Sequence, residues 1–312
     1  MMSFKDVAEY FQQLVKPKEK PGAVGVYLST DSICMVHFDE KILASQYIRC
    51  SSDIERQAAL QTFVQDNNLA TTPCHVIIEL QDYKVTLLDT PPVAESEIIP
   101  SVRWMVKDAI NYPLDEASVD VFPVPLARAR DNMKLIYAVV APIKKLLSIE
   151  SMIKNTQLHL HSFSIVEMAL RNALNYADAI HQSSLLIYLQ NNIGRMLIID
   201  KEAIYMVRNL DLKDNAQETV LLEIQRYMDY ANTLFRRQLC TQIVFTPNLL
   251  TGDINHQIKA TLDLNTETLP FTHFFPKGES VPQEEQAPLL VALGAALTDV
   301  MNARQPATEG AT

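Results

Sequence analysis

Glycine is scarce in this sequence, with 7 glycines among 312 residues, where an average usage of about 7% would give roughly 22. Loops that wrap around phosphate groups need glycine, because their backbone N–H groups approach the ligand closely and often at positive φ. The sequence contains neither G-x-x-x-x-G-K-[ST] nor G-x-G-x-x-G. It therefore argues against P-loop and Rossmann-type nucleotide binding.

Long apolar segments are missing as well. The longest apolar runs, at residues 135–143 and 289–297, have nine residues each, whereas a membrane-spanning helix needs about 20. The N-terminus shows no apolar core of a signal peptide. We therefore expect a soluble protein of the cytoplasm.

Positive charge is in deficit, since 27 Lys and Arg stand against 37 Asp and Glu, for a formal net charge of −10. Phosphate backbones are bound chiefly by clustered Lys and Arg, so no nucleic-acid partner is expected. Hydrophobic residues at 48% and charged residues at 21% are typical of a globular protein, which excludes general disorder.

Neither paired cysteines nor a metal-binding or hydrolase motif is present. Buried, reduced thiols are expected for the four separated cysteines, Cys34, Cys50, Cys74 and Cys240. His159 and His161 would share one face of a strand, but no cysteine or acidic residue stands near them in the sequence at ligand spacing. No metal site is predicted, and neither G-x-S-x-G nor H-E-x-x-H occurs.

What the sequence does contain is one succession of elements that occurs twice: three strands, a helix and a fourth strand. The first copy has strands at 23–29, 33–38 and 42–49, a helix at 53–67 and a strand at 74–80. The second copy has strands at 185–189, 195–200 and 203–207, a helix at 216–238 and a strand at 242–246. This recurrence predicts an internal duplication, and hence a two-lobed α/β protein with a cleft between the lobes.

An insertion separates the two copies. It has predicted strands at 83–88, 119–124 and 135–140 and an amphipathic helix at 95–111. The predicted domains are an N-terminal amphipathic helix and linker (1–22), the first lobe (23–82), the inserted subdomain (83–142), a return to the first lobe with a linker helix (143–182), the second lobe with its closing helix (183–301) and a disordered tail (302–312). The N-terminal helix is expected to pack on its own protein, or else to rest on an anionic membrane surface or a partner.

Four segments of the sequence resemble segments of PilM-type proteins. They are Pro91-Pro92 with the stretch 104–117, the helix at 164–172, the E-x-x-R helix at 223–230 and the closing apolar helix at 288–297. Within that group the chain is most similar to the components of mannose-sensitive haemagglutinin (MSHA) pili, and it is also similar to the cytoplasmic domain of the type II secretion protein GspL. The resemblance implies a duplicated RNase H-like fold, the actin/Hsp70-like ATPase fold, with two lobes and an inserted subdomain.

The resemblance also implies where ATP and Mg²⁺ would bind, because the family's fold holds them with two phosphate hairpins and a glycine-rich adenosine loop. The corresponding candidate residues are Ser29, Thr30, Asp31, Gln190, Asn191 and Asn192. All three elements depart from the family's pattern. Tyr27 replaces the acidic residue of the first hairpin, Tyr188-Leu189-Gln190 stands where the second reads D-[IL]-G, and Thr246-Pro247-Asn248 lacks the glycine pair of the adenosine loop.

These departures favour a degenerate cleft with no cofactor and no catalytic residue. The alternative is an actin-like ATPase that regulates pilus assembly, in which Asp31 supplies a displaced carboxylate for Mg²⁺. A sugar-kinase relative is a third hypothesis, for which no catalytic aspartate can be placed.

For the partner, the resemblance implies docking of the cytoplasmic N-terminus of a PilN-like bitopic inner-membrane protein, in a groove between the first lobe and the inserted subdomain. The candidate groove residues are Trp104, Val102, Tyr112, Val119 and Val121. Trp104 is either a core residue of its helix or an aromatic anchor for the partner. The expected function is a non-catalytic cytoplasmic scaffold of a type IV pilus assembly platform, held at the inner membrane indirectly, with a homodimer left open.

Overall fold

The computed structural model describes residues 20–125, 134–178, 182–190, 193–200, 203–211, 216–247, 253–276 and 278–304. The chain forms two compact units. The first-sheet unit comprises the described residues of 20–80, 147–178 and 288–304, and the second-sheet unit comprises those of 81–146 and 182–287. Among the helices so described, none has the length and apolar character to cross a membrane. The predicted N-terminal helix at 4–15 and the end of the predicted tail, 305–312, lie outside the described residues.

A five-stranded sheet forms the centre of the first-sheet unit. Its strands are β1 (Ala23–Leu28), β2 (Ser32–Asp39), β3 (Lys41–Arg49), β4 (Pro73–Ile77) and β8 (His159–Ser164). Their order across the sheet is β3-β2-β1-β4-β8. The first three strands form an antiparallel meander, whereas β4 pairs in parallel with both β1 and β8. All six residues of β1 are buried, as expected for a central strand that is covered on both faces.

The helices of this unit pack closely on the sheet. They are α1 (Asp53–Asp66), most of α3 (Ile143–Asn155), α4 (Val166–Tyr176), most of α8 (Gln283–Ala296) and α9 (Thr298–Arg304). Helix α8 meets its neighbours at two glycines: a Cβ atom on Gly25 would come within 3.0 Å of the Ala292 carbonyl oxygen, and one on Gly294 within 3.0 Å of the Ala169 backbone. Two of the few glycines in the chain therefore serve backbone-to-backbone packing.

This packing corrects the predicted domain boundaries at the C-terminal end. The sequence assigned the closing helix to the second lobe, whereas residues 288–304 belong to the first-sheet unit, because α8 lies directly against β1 and α4. The closing helix predicted at the end of the second lobe is two helices, α8 and α9. Residues 302–304, predicted to be disordered, form the last turn of α9.

The second-sheet unit repeats the topology of the first. Its strands are β9 (Ser184–Gln190), β10 (Ile193–Asp200), β11 (Ala203–Asp211), β12 (Gln242–Phe245) and β13 (Asn265–Thr268). They lie in the order β11-β10-β9-β12-β13, which matches the first sheet position by position. The helices are α5 (Ala216–Phe235), α6 (Asp253–Leu262) and the short α7 (Phe271–Phe274). The predicted duplication is therefore confirmed.

The inserted subdomain is part of the second-sheet unit. It consists of β5 (Lys84–Asp89), α2 (Glu95–Met105), β6 (Ala117–Pro123) and β7 (Leu135–Pro142), with the antiparallel order β5-β7-β6. Tyr137 of β7 stacks on Phe122 and accepts a hydrogen bond from the N–H of Val207 at 2.8 Å. This tyrosine belongs to the hydrophobic core of the second sheet, so the subdomain contributes to that core in addition to having a cluster of its own.

Helix α2 is shorter than the predicted 95–111. It ends at Met105, after which a 3-10 turn (Lys107–Ala109) leads to extended backbone at Ile110. The apolar spacing continued past the helix end because Ile110 still packs on the core of the subdomain. Buried Arg103 ties α2 to the chain that leads into β6. Its guanidinium donates to the carbonyl oxygen of Ala117, at 2.7 Å, and to that of Leu114.

All four cysteines are buried and none of them forms a disulfide, which confirms their predicted state. Burial raises the pKa of the Cys240 thiol to about 12 and raises that of Cys74 as well. Both thiols are therefore protonated at neutral pH and act as small apolar side chains.

Candidate functional site

The residues proposed for the first phosphate hairpin lie in the turn between β1 and β2. This turn is closed by its own hydrogen bonds. The N–H of Ser29 donates to the carbonyl oxygen of Ser32 at 3.0 Å, and the Ser29 hydroxyl lies 2.6 Å from that of Ser32 and 3.1 Å from Oδ1 of Asp31. Thr30 and Asp31 are exposed, whereas both serines are buried. The side chain of Ser29 thus bonds to those of Asp31 and Ser32.

A carboxylate that sequence reasoning missed faces this turn from just beyond β4. Oε2 of Glu79 accepts a hydrogen bond from the N–H of Thr30 at 2.8 Å, and Oε1 accepts one from the N–H of Leu80 at 2.9 Å. Glu79 is almost completely buried. The sequence did carry a sign of this residue, because Glu79 is a charged residue inside the largely apolar stretch at 74–80. The backbone donor of Thr30, which a phosphate would use, is already bonded to a negative group.

Arg56 of α1 fixes the backbone of the same turn. Its Nη2 donates to the carbonyl oxygen of Ser29 at 2.9 Å and to that of Thr30, and its Nη1 donates to Oδ1 of Asp53 at 2.9 Å. The guanidinium therefore serves carbonyl groups and a neighbouring carboxylate. These bonds engage the guanidinium with groups of the chain itself, in the same turn whose Thr30 amide donates to Glu79.

In the second predicted hairpin, the structure describes Gln190 at the end of β9, whereas Asn191 and Asn192 lie outside the described residues. The hydroxyl of Tyr188 donates to Oε1 of Gln190 at 2.5 Å. Tyr188 stands where the family has an acidic residue, and its side chain is completely buried. In the region of the adenosine loop, the N–H of Thr246 donates to the carbonyl oxygen of Ile187 at 3.0 Å.

We expect Mg·ATP at millimolar concentration to leave the midpoint of thermal unfolding of the full chain within about 1 °C of its value in magnesium alone. The reason is that the amides of Ser29 and Thr30 already donate, to the carbonyl oxygen of Ser32 and to the carboxyl group of Glu79. A ligand at about 100 times its Kd adds about 2.7 kcal/mol, which would raise the midpoint by several degrees. A rise of that size, abolished by Asp31→Ala, would contradict this expectation and favour the ATPase alternative.

Two of the predicted groove residues are core residues. Val102 and Val119 are 0% and 1% exposed, and they pack in one cluster with Val106 and Ala117 inside the inserted subdomain. They stabilise the subdomain and do not line a docking surface, which corrects their predicted role. The cause is that Val102 of α2, and Val106 directly after the helix, face the three-stranded sheet of the subdomain.

The other predicted groove residues lie further out. Tyr112 and Val121 are half-buried against the same cluster, and desolvation raises the pKa of the Tyr112 phenol. Trp104 is 70% exposed and its neighbour Met105 is 45% exposed, which overturns the interpretation of Trp104 as a core residue. At about 100° per residue, Trp104 lies on the side of α2 opposite to Val102.

Exposed acidic side chains outnumber exposed basic ones on α2 and in the turns that follow it, where Lys107 is the exposed basic residue. Five exposed carboxylates belong to α2 and the turns that follow it: Glu95, Glu97, Asp108, Asp115 and Glu116. An exposed tryptophan and methionine together with carboxylates suit an extended or helical partner that carries apolar and basic side chains. We call this set, Trp104, Met105 and the five carboxylates, the α2 surface.

One further group of side chains could hold a metal ion. His161, considered in the sequence with His159, lies near His75 and Asp299, and the ligand atoms of these three are within 4.8 Å of one another. The ring of His159 packs edge-on against that of His161, with centroids 5.0 Å apart. His75 and Asp299 are 224 positions apart, so no spacing rule could have joined them.

No family model matches the sequence, and no curated protein matches it. A chain of the PilM–PilN type IV pilus biogenesis complex has a TM-score of 0.67 at 16% identity, covering 91% of this chain and 99% of that chain. The cytoplasmic domain of EpsL, an inner-membrane component of the type II secretion system of Vibrio cholerae, has a TM-score of 0.55 at 12% identity, covering 87% and 94%.

These likenesses establish the fold. The chain has the duplicated actin-like ATPase fold that the sequence predicted, and its likeness to PilM-type proteins and to a type II secretion cytoplasmic domain is confirmed at the level of the fold. A protein of unknown function from Bacteroides thetaiotaomicron with an actin-like ATPase fold also aligns, with a TM-score of 0.49 at 8% identity, covering 87% of this chain and 96% of that chain.

Proposed function

We propose that this chain is a non-catalytic scaffold of a type IV pilus assembly platform that docks the cytoplasmic N-terminus of a PilN-like inner-membrane protein. The observation that carries the proposal is the fold shared with a chain of the PilM–PilN complex over nearly the full length of both. The self-bonded turn between β1 and β2 supports the non-catalytic part, because the amides of Ser29 and Thr30 already have acceptors.

The α2 surface supports the kind of partner. Exposed aromatic and sulfur-containing side chains provide the apolar contact area on which binding energy concentrates. Segments of inner-membrane proteins next to a membrane helix on the cytoplasmic side are rich in Lys and Arg. Such a segment complements the carboxylates of the α2 surface, which would steer it to that surface at low ionic strength.

The finer assignment follows from the sequence segments that resemble PilM-type proteins. We place the protein with MshI, the PilM-like component of MSHA pili, at the cytoplasmic face of the inner membrane. Its attachment there is through the bitopic partner. Direct contact of this chain with lipid plays no part in the proposal.

Trp104 offers a direct test, since it is the sole tryptophan of the chain. We expect addition of a synthetic peptide with the cytoplasmic N-terminal sequence of the PilN-like protein from the same genome to shift tryptophan emission to shorter wavelength, saturably. An exposed indole that becomes covered by a partner moves into a less polar environment. Trp104→Ala should weaken binding by about 30-fold, measured by the anisotropy of a labelled peptide, because a central tryptophan contributes about 2 kcal/mol or more.

The matched control is Leu222→Ala, which removes another exposed apolar side chain, on α5, and should bind the peptide as the wild type does. Binding with unshifted emission and an unchanged Kd in Trp104→Ala would move the docking site away from the α2 surface. Absence of any binding at high micromolar peptide would overturn the proposed partner.

A further inference from the structure

Three ligating side chains from distant parts of the chain meet in the first-sheet unit. Nε2 of His75 lies 3.0 Å from Oδ2 of Asp299, and Nδ1 of His161 lies 3.7 Å from the same oxygen. His75 is on β4, His161 on β8 and Asp299 on α9. The two strands are neighbours because they pair in parallel, and α9 brings the carboxylate to them.

An irregularity in the pairing of β4 with β8 places the second histidine. Cys74 pairs with Leu160 and His75 pairs with Ser162, so His161 is an extra residue on β8. Extra residues of this kind redirect side chains relative to the regular alternation of a strand. The rings of His75 and His161 consequently stand edge to face, with centroids 5.6 Å apart.

The surroundings of His75 fix its orientation. Its side chain is 2% exposed, and its Nδ1 lies 2.8 Å from Oγ of Ser162. Histidines that bind metals nearly always bond their other ring nitrogen to a protein group in this way, which sets the tautomer and aims the ligating nitrogen. Here the bond to Ser162 directs Nε2 towards Asp299 and His161.

We propose that His75, His161 and Asp299 bind a zinc ion. Two imidazole nitrogens and one carboxylate oxygen form a donor set that zinc accepts, with water as the fourth ligand. Bonds of about 2.0–2.2 Å place tetrahedral ligand atoms about 3.3–3.6 Å apart. The two separations from Oδ2 of Asp299, 3.0 and 3.7 Å, bracket that range, and all three ligand atoms lie within 4.8 Å of one another. Two nitrogen donors disfavour Mg²⁺ and Ca²⁺, which prefer oxygen ligands.

The partial exposure of two of the three side chains gives an ion access to the site. The side chain of Asp299 is 53% exposed and that of His161 is 20% exposed, whereas His75 is enclosed. Solvent reaches the site on the side of Asp299, where the water ligand would lie. Bound zinc would join α9 to both strands, so it would stabilise the C-terminal end of the described chain.

The test uses the full chain after removal of metals with EDTA and extensive dialysis. Isothermal titration calorimetry with Zn²⁺ alone should show one equivalent bound, with a Kd of micromolar or below. Zn²⁺ should also raise the midpoint of thermal unfolding. His161→Gln and Asp299→Asn, both at partly exposed positions that allow folding, should each weaken binding by at least 10-fold. His256→Gln, which alters an exposed histidine on α6, should bind zinc as the wild type does.

A second readout separates a built site from surface binding. Co²⁺ in place of Zn²⁺ should give the intense visible absorption of a four-coordinate ion, and this absorption should be lost in His161→Gln. Equal zinc affinity in the wild type and in both ligand variants would overturn the proposal. Absence of binding in the wild type would also overturn it and leave the cluster as a hydrogen-bonded link between α9 and the sheet.

Discussion

Gly294→Ala is expected to lower the midpoint of thermal unfolding by roughly 10 °C. Gly294 lies inside α8, where alanine ordinarily stabilises a helix by about 1 kcal/mol. Here the added methyl group would meet the backbone of Ala169, closer than real Cβ atoms approach. Backbone atoms cannot rotate aside, so α8 must move away from α4. Such overpacking costs about 3 kcal/mol, which corresponds to roughly 6–12 °C for a large domain.

Thermal unfolding monitored by circular dichroism measures the midpoint of each variant. The direction in which the midpoint moves decides whether the prediction holds. Gly25→Ala should act in the same direction, because its methyl group would meet the backbone of Ala292 and Ala296. Ser45→Thr is the control: it adds a methyl group at an exposed position of β3 and should change stability by less than about 0.5 kcal/mol. If Gly294→Ala were as stable as the wild type or more stable, α8 would not approach α4 as described.

Arg103→Met is expected to destabilise the second-sheet unit by about 3 kcal/mol and to weaken binding of the PilN-like peptide. The substitution removes a buried guanidinium that bonds the carbonyl oxygens of Ala117 and Leu114. Each buried acceptor left without a partner costs about 1–3 kcal/mol. The segment between α2 and β6 would lose the bonds that hold it to the helix, and with it the carboxylates Asp115 and Glu116 would lose their fixed positions.

Urea unfolding and peptide anisotropy, measured on the same preparations, test both parts of this prediction. Lys107→Met removes a positive charge at an exposed position only four residues away, so it should leave stability within about 0.5 kcal/mol of the wild type. Equal unfolding midpoints for the two variants would mean that the bonds of Arg103 contribute nothing. A destabilised Arg103→Met with full peptide affinity would separate the segment from the docking site.

The strands and helices were largely predictable because their local patterns are strong. Buried strands such as β1 and β9 are short apolar runs between turn residues, and α5 carries a long apolar stripe. Strand β13 was missed, since its sequence Asn-Thr-Glu-Thr has no apolar residue and it forms by pairing with β12. Its strand conformation is therefore set by pairing with a neighbouring strand and not by the local preference of its residues.

The candidate sites were predictable only in part. The turn at Ser29–Asp31 could be located from the strand pattern and the family resemblance, but Glu79 and Arg56 reach it from elsewhere in the chain. Trp104 could be assigned either to the core or to the surface, because the apolar residues of α2 occupy more than one side of the helix. The contact of His75 with Asp299 depends on how strands and helices pack, and the pattern of residues along the chain does not predict that packing.

Glu79 gives the turn between β1 and β2 a resident anion. Its carboxylate is covalently part of the chain, so its local concentration at the amide of Thr30 never varies with metabolism. In the proposed non-catalytic scaffold, such a turn would be set once, when the protein folds, and would not respond to the ratio of ATP to ADP. Under the proposed function, the timing of assembly would then come from the supply of partner protein at the α2 surface, and the energy state of the cell would act through other components.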